Sequence, residues 1–265
     1  MHENFYLDKW YLDLITEEGE AMIFYVAKLK WHGFESHYTS WLNFDSVKGT
    51  SNNSRLTQVK FPVLKDNSLT WTDTRFGISG QWESLASPIR SRLFESDEGY
   101  LDWNCHQPAS RVHLKIGERN IHANGYAEQL ILTIPPWKLN LEKLQWGRYG
   151  LPGQNLVWIQ WKADETNKWI WQNGAQINEC EIADEAIGLP QTGEKLFLDR
   201  CVVLESEKKV MSLVARLISH FPGIDKSMTF KFLMANETKW LSRTKLEKDG
   251  EIINLGWAIH ELVTF

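Results

Sequence analysis

The stretch "NGYAEQLILTIPPWKLNLEKLQWGRYG", Asn124 to Gly150, decides how the rest of the chain is read. A polar turn at Asn124-Gly125 feeds an apolar run, and Pro135-Pro136 stops it. A second run then opens around Trp146-Gly147-Arg148. A proline has no N–H to give to a ladder, so two in a row do not sit in a central strand. The stretch therefore reads as the last strand of one unit followed by the first strand of another. A weak internal repeat agrees. Gly125-Tyr126-Ala127 precedes Glu128 in an apolar run, and Gly256-Trp257-Ala258 precedes Glu261 in another near the C-terminus. The expected organisation is two β units, residues 1–135 and 136–265.

Working outward, short alternating segments rich in aromatic and β-branched residues recur along the chain. In "YVAKLKWH", Tyr25, Ala27, Leu29 and Trp31 fall on one face of a strand, with Val26, Lys28 and Lys30 on the other. "LVWIQWK" and "KWIWQ" alternate in the same way, and Asn173-Gly174 after them is a strong hairpin signal. Further strands are expected at "WYLDLIT", "SRLTQV", "GYLDWNC", "RVHLKIG", "KLFLDRCVVLES", "MTFKFLMA" and "INLGWAIHELVTF". One segment departs from the period. "KVMSLVARLISHF" sets Leu213, Leu217 and Phe221 at helical spacing before Pro222-Gly223, which predicts one short helix in the C-terminal half. Many strands and little helix point to an all-β sandwich or barrel.

Composition narrows the function classes. The 265 residues carry a net charge of -5, which argues against nucleic acid as a main partner. Fourteen tryptophans are many for this length, and indoles either fill cores or line apolar sites for flat or elongated molecules. Cys105, Cys180 and Cys201 are odd in number, widely spaced and lack a CxxC pair, so neither a disulfide framework nor a metal site is expected. The N-terminus shows no signal-peptide pattern, and no run is long enough to span a bilayer, so a cytoplasmic setting is expected. Walker, GxGxxG, HExxH and GxSxG motifs do not occur, so no cofactor is expected. Nothing in the sequence specifies an oligomeric state.

Four stretches carry a resemblance: "KWYLDLITEEGEAMIFYV", "GYLDWNCHQPAS", the Asn124–Gly150 stretch, and "ETKWLSRTKLEKDGEIINLGWAIHE". Together they resemble the lipocalin-like family that includes the AttH-type proteins and the hydroxyneurosporene synthases, which are carotenoid hydratases. The resemblance implies two tandem lipocalin-like antiparallel β-barrel units with ligand space inside or between them. Hydratase members carry a Gly-Tyr-His-Asp-His-like stretch where this chain has Gly125-Tyr126-Ala127-Glu128-Gln129.

The residues themselves suggest where chemistry lies. On a strand, Tyr126, Glu128 and Leu130 share a face, so Glu128 is either a proton donor in an apolar pocket or a structural carboxylate paired with Arg148 or another base. Trp146 and Arg148 are two apart, suiting a headgroup contact beside an indole, or a core Trp beside a structural ion pair. Trp103 shares a face with Cys105, while His106 points away from both. In "ETKWLSR" the charged face of Glu237, Lys239 and Arg243 suits a structural network, and Trp240 on the other face is the pocket candidate. His260 and Glu261 are adjacent and so point to opposite faces. Glu261 falls on the side of Trp257, as Glu128 falls on the side of Tyr126, and His260 is a candidate for assisting proton transfer, or bonds a loop. The expected function is binding of an apolar small molecule (isoprenoid, fatty-acid or polyketide-like) in a Trp-lined pocket. The alternative is a cofactor-independent hydratase, isomerase or cyclase with Glu128 as acid.

Overall fold

The computed structural model describes residues 5–206 and 235–265. The helix expected at 209–221 and most of the strand expected at 228–235 lie outside the described residues. Ten strands build the first unit: β1 (Tyr6–Ile15), β2 (Ala21–Trp31), β3 (Phe34–Asp45), β4 (Gly49–Arg55), β5 (Val63–Lys65), β6 (Ser68–Asp73), β7 (Ile78–Ser84), β8 (Ile89–Ser96), β9 (Gly99–Ile116) and β10 (Arg119–Leu132). A 3-10 turn at Pro136–Lys138 follows. Nine strands build the second: β11 (Lys143–Leu151), β12 (Gln154–Lys162), β13 (Thr166–Gln172), β14 (Ala175–Ile177), β15 (Glu181–Ile182), β16 (Ala186–Leu189), β17 (Glu194–Ser206), β18 (Asn236–Lys248) and β19 (Glu251–Thr264). Among the described residues no helix is long and apolar enough to cross a membrane.

Both units are antiparallel sheets wound the same way. The first runs β4-β3-β2-β1-β10-β9-β7-β6-β5, with β8 also on β9, and the second runs β14-β13-β12-β11-β19-β18-β17-β16-β15. In each, the opening strand pairs with the next strand and with the last one of its unit. The two members of the sequence repeat, on β10 and β19, thus occupy the same place in their sheets. At Asn173-Gly174 both residues take positive φ, 52° and 81°, as a tight hairpin between β13 and β14 requires. Two strand expectations are corrected. "GYLDWNC" and "RVHLKIG" belong to one strand, the 18-residue β9, because Pro108 between them leaves the ladder able to continue on either side. "SRLTQV" leaves the sheet after Arg55, and Leu56 is exposed.

Strand alternation distributes the core over three layers. On β1, Trp10, Leu12 and Leu14 point into the first unit's own core with Phe24, Trp71 and Trp82. Tyr11 and Ile15 point the other way, into a layer shared with Trp146, Ile159 and Ile259 of the second unit. The second unit keeps a smaller core of its own around Tyr149, Trp158 and Leu196. Eight of the fourteen tryptophans lie in or against the shared layer, so the indole surface is concentrated between the sheets. At roughly 1.5–3 kcal/mol for each large apolar side chain buried, this layer is a main source of cohesion between the units.

Candidate functional site

Two Tyr-x-carboxylate pairs lie on neighbouring antiparallel strands: Tyr11-x-Asp13 on β1 and Tyr126-x-Glu128 on β10. They are in register, Tyr11 opposite Glu128 and Asp13 opposite Tyr126. A β-bulge in the β9–β10 ladder spans Gly125 to Glu128. All four side chains face the second unit. One carboxylate oxygen of Glu128, Oε2, accepts the Trp103 indole N–H at 2.5 Å and the Tyr126 hydroxyl at 2.5 Å. Burial pushes the Glu128 carboxyl above its ordinary value, while those two donors and the charges of Lys9 and Lys239 pull it back without overcoming burial. No hydrogen bond engages the other oxygen, Oε1, among the described residues.

Arg148 is not the partner of Glu128. Its guanidinium takes Asp13 side-on, Nε to Oδ2 at 3.0 Å and Nη2 to Oδ1, and both residues are buried. Tyr11 donates its hydroxyl to Asp13 at 2.9 Å. The Trp146 ring meets Tyr11 and Tyr126 edge-on, with centroids 5.2 Å and 5.6 Å apart. On the same side Lys239 is bonded to Glu261 and lies 3.5 Å from Glu237. Tyr25 donates to Glu205 at 3.2 Å. Burial raises the Glu237 carboxyl, Lys239 opposes that rise, and Glu205 adds to it. Burial likewise raises the Asp13 carboxyl, against the pull of Arg148, so Asp13, Glu128 and Glu237 all hold their protons more readily than in water.

The structure thus brings Tyr126, Glu128, Trp103, Trp146, Arg148 and Glu261 to one face, in the shared layer rather than inside either unit. His260 and Trp240 are not there. His260 faces the second unit's interior, within 2.8 Å of the Ser242 hydroxyl and stacked on Trp240 at 5.3 Å. Its partner is therefore a strand residue, not a loop. Burial first, then the charges of Arg200 and Lys239, lower its imidazole to about 4. Trp257 sits at the edge of the layer, donating to the Glu17 carbonyl at 3.1 Å. Cys105 is buried with its thiol pushed up, and His106 stacks on Trp10 instead.

Asp13, Tyr11, Tyr25 and Glu205 belong to the site although the sequence pattern did not single them out. Asp13 carries the same signal as Glu128, a lone carboxylate two residues after a tyrosine in an apolar strand. Glu205 lies one residue before the end of β17 with no comparable local mark; its burial follows from the sheet pairing, which sets it opposite Lys239.

A cleft of about 1380 Å³ opens where the β1–β2 turn meets β17, β18 and β19. Ile15, Phe197, Leu198, Leu255 and Trp257 supply apolar wall, and Arg148 lines it from the shared layer. Glu128 is not among its lining residues, nor are Tyr126, Trp103 and Trp146. Of the expected ligand contacts, Arg148 and Trp257 are the two that reach this cavity, and Trp257 is its single indole.

No protein-family model matches the chain, and no curated protein matches it. Solved structures do. A Nitrosomonas europaea protein assigned as an AttH is similar over 97% of this chain and 92% of its own, with 12% identity and TM-score 0.56. CghA, solved with Sch210972, is similar over 99% and 89%, with 10% identity and TM-score 0.53. Kievitone hydratase from Nectria haematococca is similar over 97% and 88%, with 9% identity and TM-score 0.54. The class defined by the two-sheet architecture is the lipocalin-like all-β fold. Within it, the chain shares the two-unit fold of the AttH-like structures, as the sequence resemblance implies.

Proposed function

We propose that this chain binds an apolar small molecule, isoprenoid, fatty-acid or polyketide-like, in the cleft where the two units meet. The observation that carries this reading is the cleft itself, about 1380 Å³, in which Ile15, Phe197, Leu198, Leu255 and Trp257 give apolar wall among charged residues such as Arg148, Arg200 and Arg243. Ligand pockets are typically about 300–1,000 Å³, so this larger cleft has room for an elongated molecule. The similar structure of CghA, solved with Sch210972, supports the same reading. The unpaired cysteines suit the cytoplasmic setting that we propose with it. A panel of such compounds should quench tryptophan fluorescence saturably, through Trp257. Phe197→Arg, at a half-buried wall position, should weaken that binding at least tenfold. Undiminished binding by this variant rejects the cleft as the site.

A second reading is favoured by the state of Glu128. A carboxyl whose hold on its proton is strengthened by burial, with Oε2 accepting from two donors and Oε1 from none among the described residues, is suited to protonate an alkene or enol carbon. In a hydration, Oε1 gives its proton to one alkene carbon and water adds to the other. The added water then returns a proton to the carboxylate. Kievitone hydratase, by its name, supports hydration as the chemistry to test first. Glu128→Gln keeps an oxygen for Tyr126 and Trp103 but has no acidic proton. It should abolish turnover and leave binding intact, and retained turnover rejects Glu128 as the acid.

A further inference from the structure

The guanidinium of Arg148 is only partly used. Nε and Nη2 are committed to Asp13. The third nitrogen, Nη1, has no hydrogen-bond partner among the described residues, although Arg148 is 1% exposed. It lies toward Gly150: a Cβ built there would stand 4.0 Å from it, and both residues line the cleft. A charged N–H donor is thus presented to the cleft from a fixed position, held by two hydrogen bonds behind it. A guanidinium N–H that faces a cleft and has no protein partner is free to donate a charge-assisted hydrogen bond to a ligand acceptor.

The surrounding charge decides which acceptor. Asp13 already compensates Arg148 through both of its oxygens. The remaining cations of the wall, Arg200, Arg243 and Lys245, face five carboxylates, Glu17, Glu18, Glu185, Asp199 and Glu247. Two of those cations are further engaged by rings: Arg200 lies 4.4 Å over Trp240 and Arg243 lies 5.4 Å over Trp257. A carboxylate entering the cleft would meet a surplus of negative charge and a guanidinium already neutralised. A neutral carbonyl oxygen takes the Nη1 hydrogen bond without that repulsion and without losing the hydration of an anion.

We propose that the ligand of this cleft is an apolar molecule bearing a neutral carbonyl, whose oxygen accepts from Nη1 of Arg148. The inference rests on the cleft being the binding site and narrows the ligand from three chemical classes to the carbonyl-bearing one, excluding a free fatty acid. Three probes of equal chain length test it: 2-decanone, decanoate and decane, measured by tryptophan quenching on the full chain. The ketone should bind about tenfold more tightly than the alkane and more tightly than the carboxylate. The infrared carbonyl band of the bound ketone should move to lower frequency than in hydrocarbon solvent. Arg148→Met alone would strand Asp13, so the paired variant Asp13→Asn with Arg148→Met is used, and it should equalise ketone and alkane. Equal binding of ketone and alkane by the unaltered chain, an unshifted carbonyl band, or tighter binding of decanoate overturns the carbonyl assignment while the cleft stands. Failure of all three probes to bind overturns the cleft with it.

Discussion

His260 shows what a single burial does. Its imidazole falls from 6.5 to about 4 because the charged form loses water and meets Arg200 and Lys239. The unfolded chain therefore binds this proton between those two values while the folded chain does not. Stability is full above pH 6.5 and is lost as pH falls toward 4, by an amount of about 3 kcal/mol if the shift is fully expressed. Urea unfolding of His260→Gln beside the unaltered chain, from pH 7 to 4, should remove that part of the slope; identical slopes contradict it. A neutral imidazole bonded to Ser242 is also a poor proton donor, which takes His260 out of the acid chemistry that its sequence position suggests. The discrepancy has a simple origin. Alternation sets His260 and Glu261 on opposite faces, as observed, but alternation does not say which face meets the other unit. Asp13 has a local signal of its own, but its pairing escapes a sequence reading for a related reason. The guanidinium that neutralises it comes from another strand 135 positions away, and pairing at that distance leaves no local trace.

At the scale of elements, β10 is fixed by its bulge. A Cβ on Gly125 would stand 2.3 Å from Val112 Cγ2 and 2.5 Å from the Asp13 carbonyl oxygen. Gly125→Ala must therefore push β10 away from Val112 and from the Asp13 carbonyl, which accepts the Trp82 indole N–H at 3.0 Å. Overpacking of this kind costs about 1–3 kcal/mol, and thermal unfolding of the variant should fall accordingly. An unchanged melting temperature would mean that the close approach is not tight in solution. Most strands are legible because period-2 alternation and turn residues are local properties. β9 reads as two strands, "GYLDWNC" and "RVHLKIG", and "SRLTQV" overlaps β4 only at Ser54–Arg55, because the alternation of Leu56 and Val59 continues beyond the sheet while Gly49–Asn53 carries few apolar residues. The repeat in β10 and β19 is legible as a motif, and its meaning, pairing of each unit's last strand with its first, is a fact of topology.

At the scale of the molecule, the apolar layer lies between two sheets, not inside either. Two β units and abundant indole surface are legible in the sequence, but alternation allows that surface to face inward or toward a neighbour. The shared layer predicts mutual dependence. Residues 1–135 expressed alone would expose Tyr11, Tyr25, Trp31 and Trp103, and Asp13 would lose Arg148. The isolated segment should bind anilinonaphthalene sulfonate strongly and unfold without a sharp transition; a sharp, dye-free transition would establish that the first sheet is self-sufficient. The layer also carries its own optical marker. Trp103 of the first sheet and Trp171 of the second stand 4.8 Å apart with rings tilted by 31°. Indoles so near one another exchange excitation, so their circular dichroism contains a paired band that neither ring gives alone. That band lives only while the sheets are seated together, and its amplitude reports docking separately from the folding of each half.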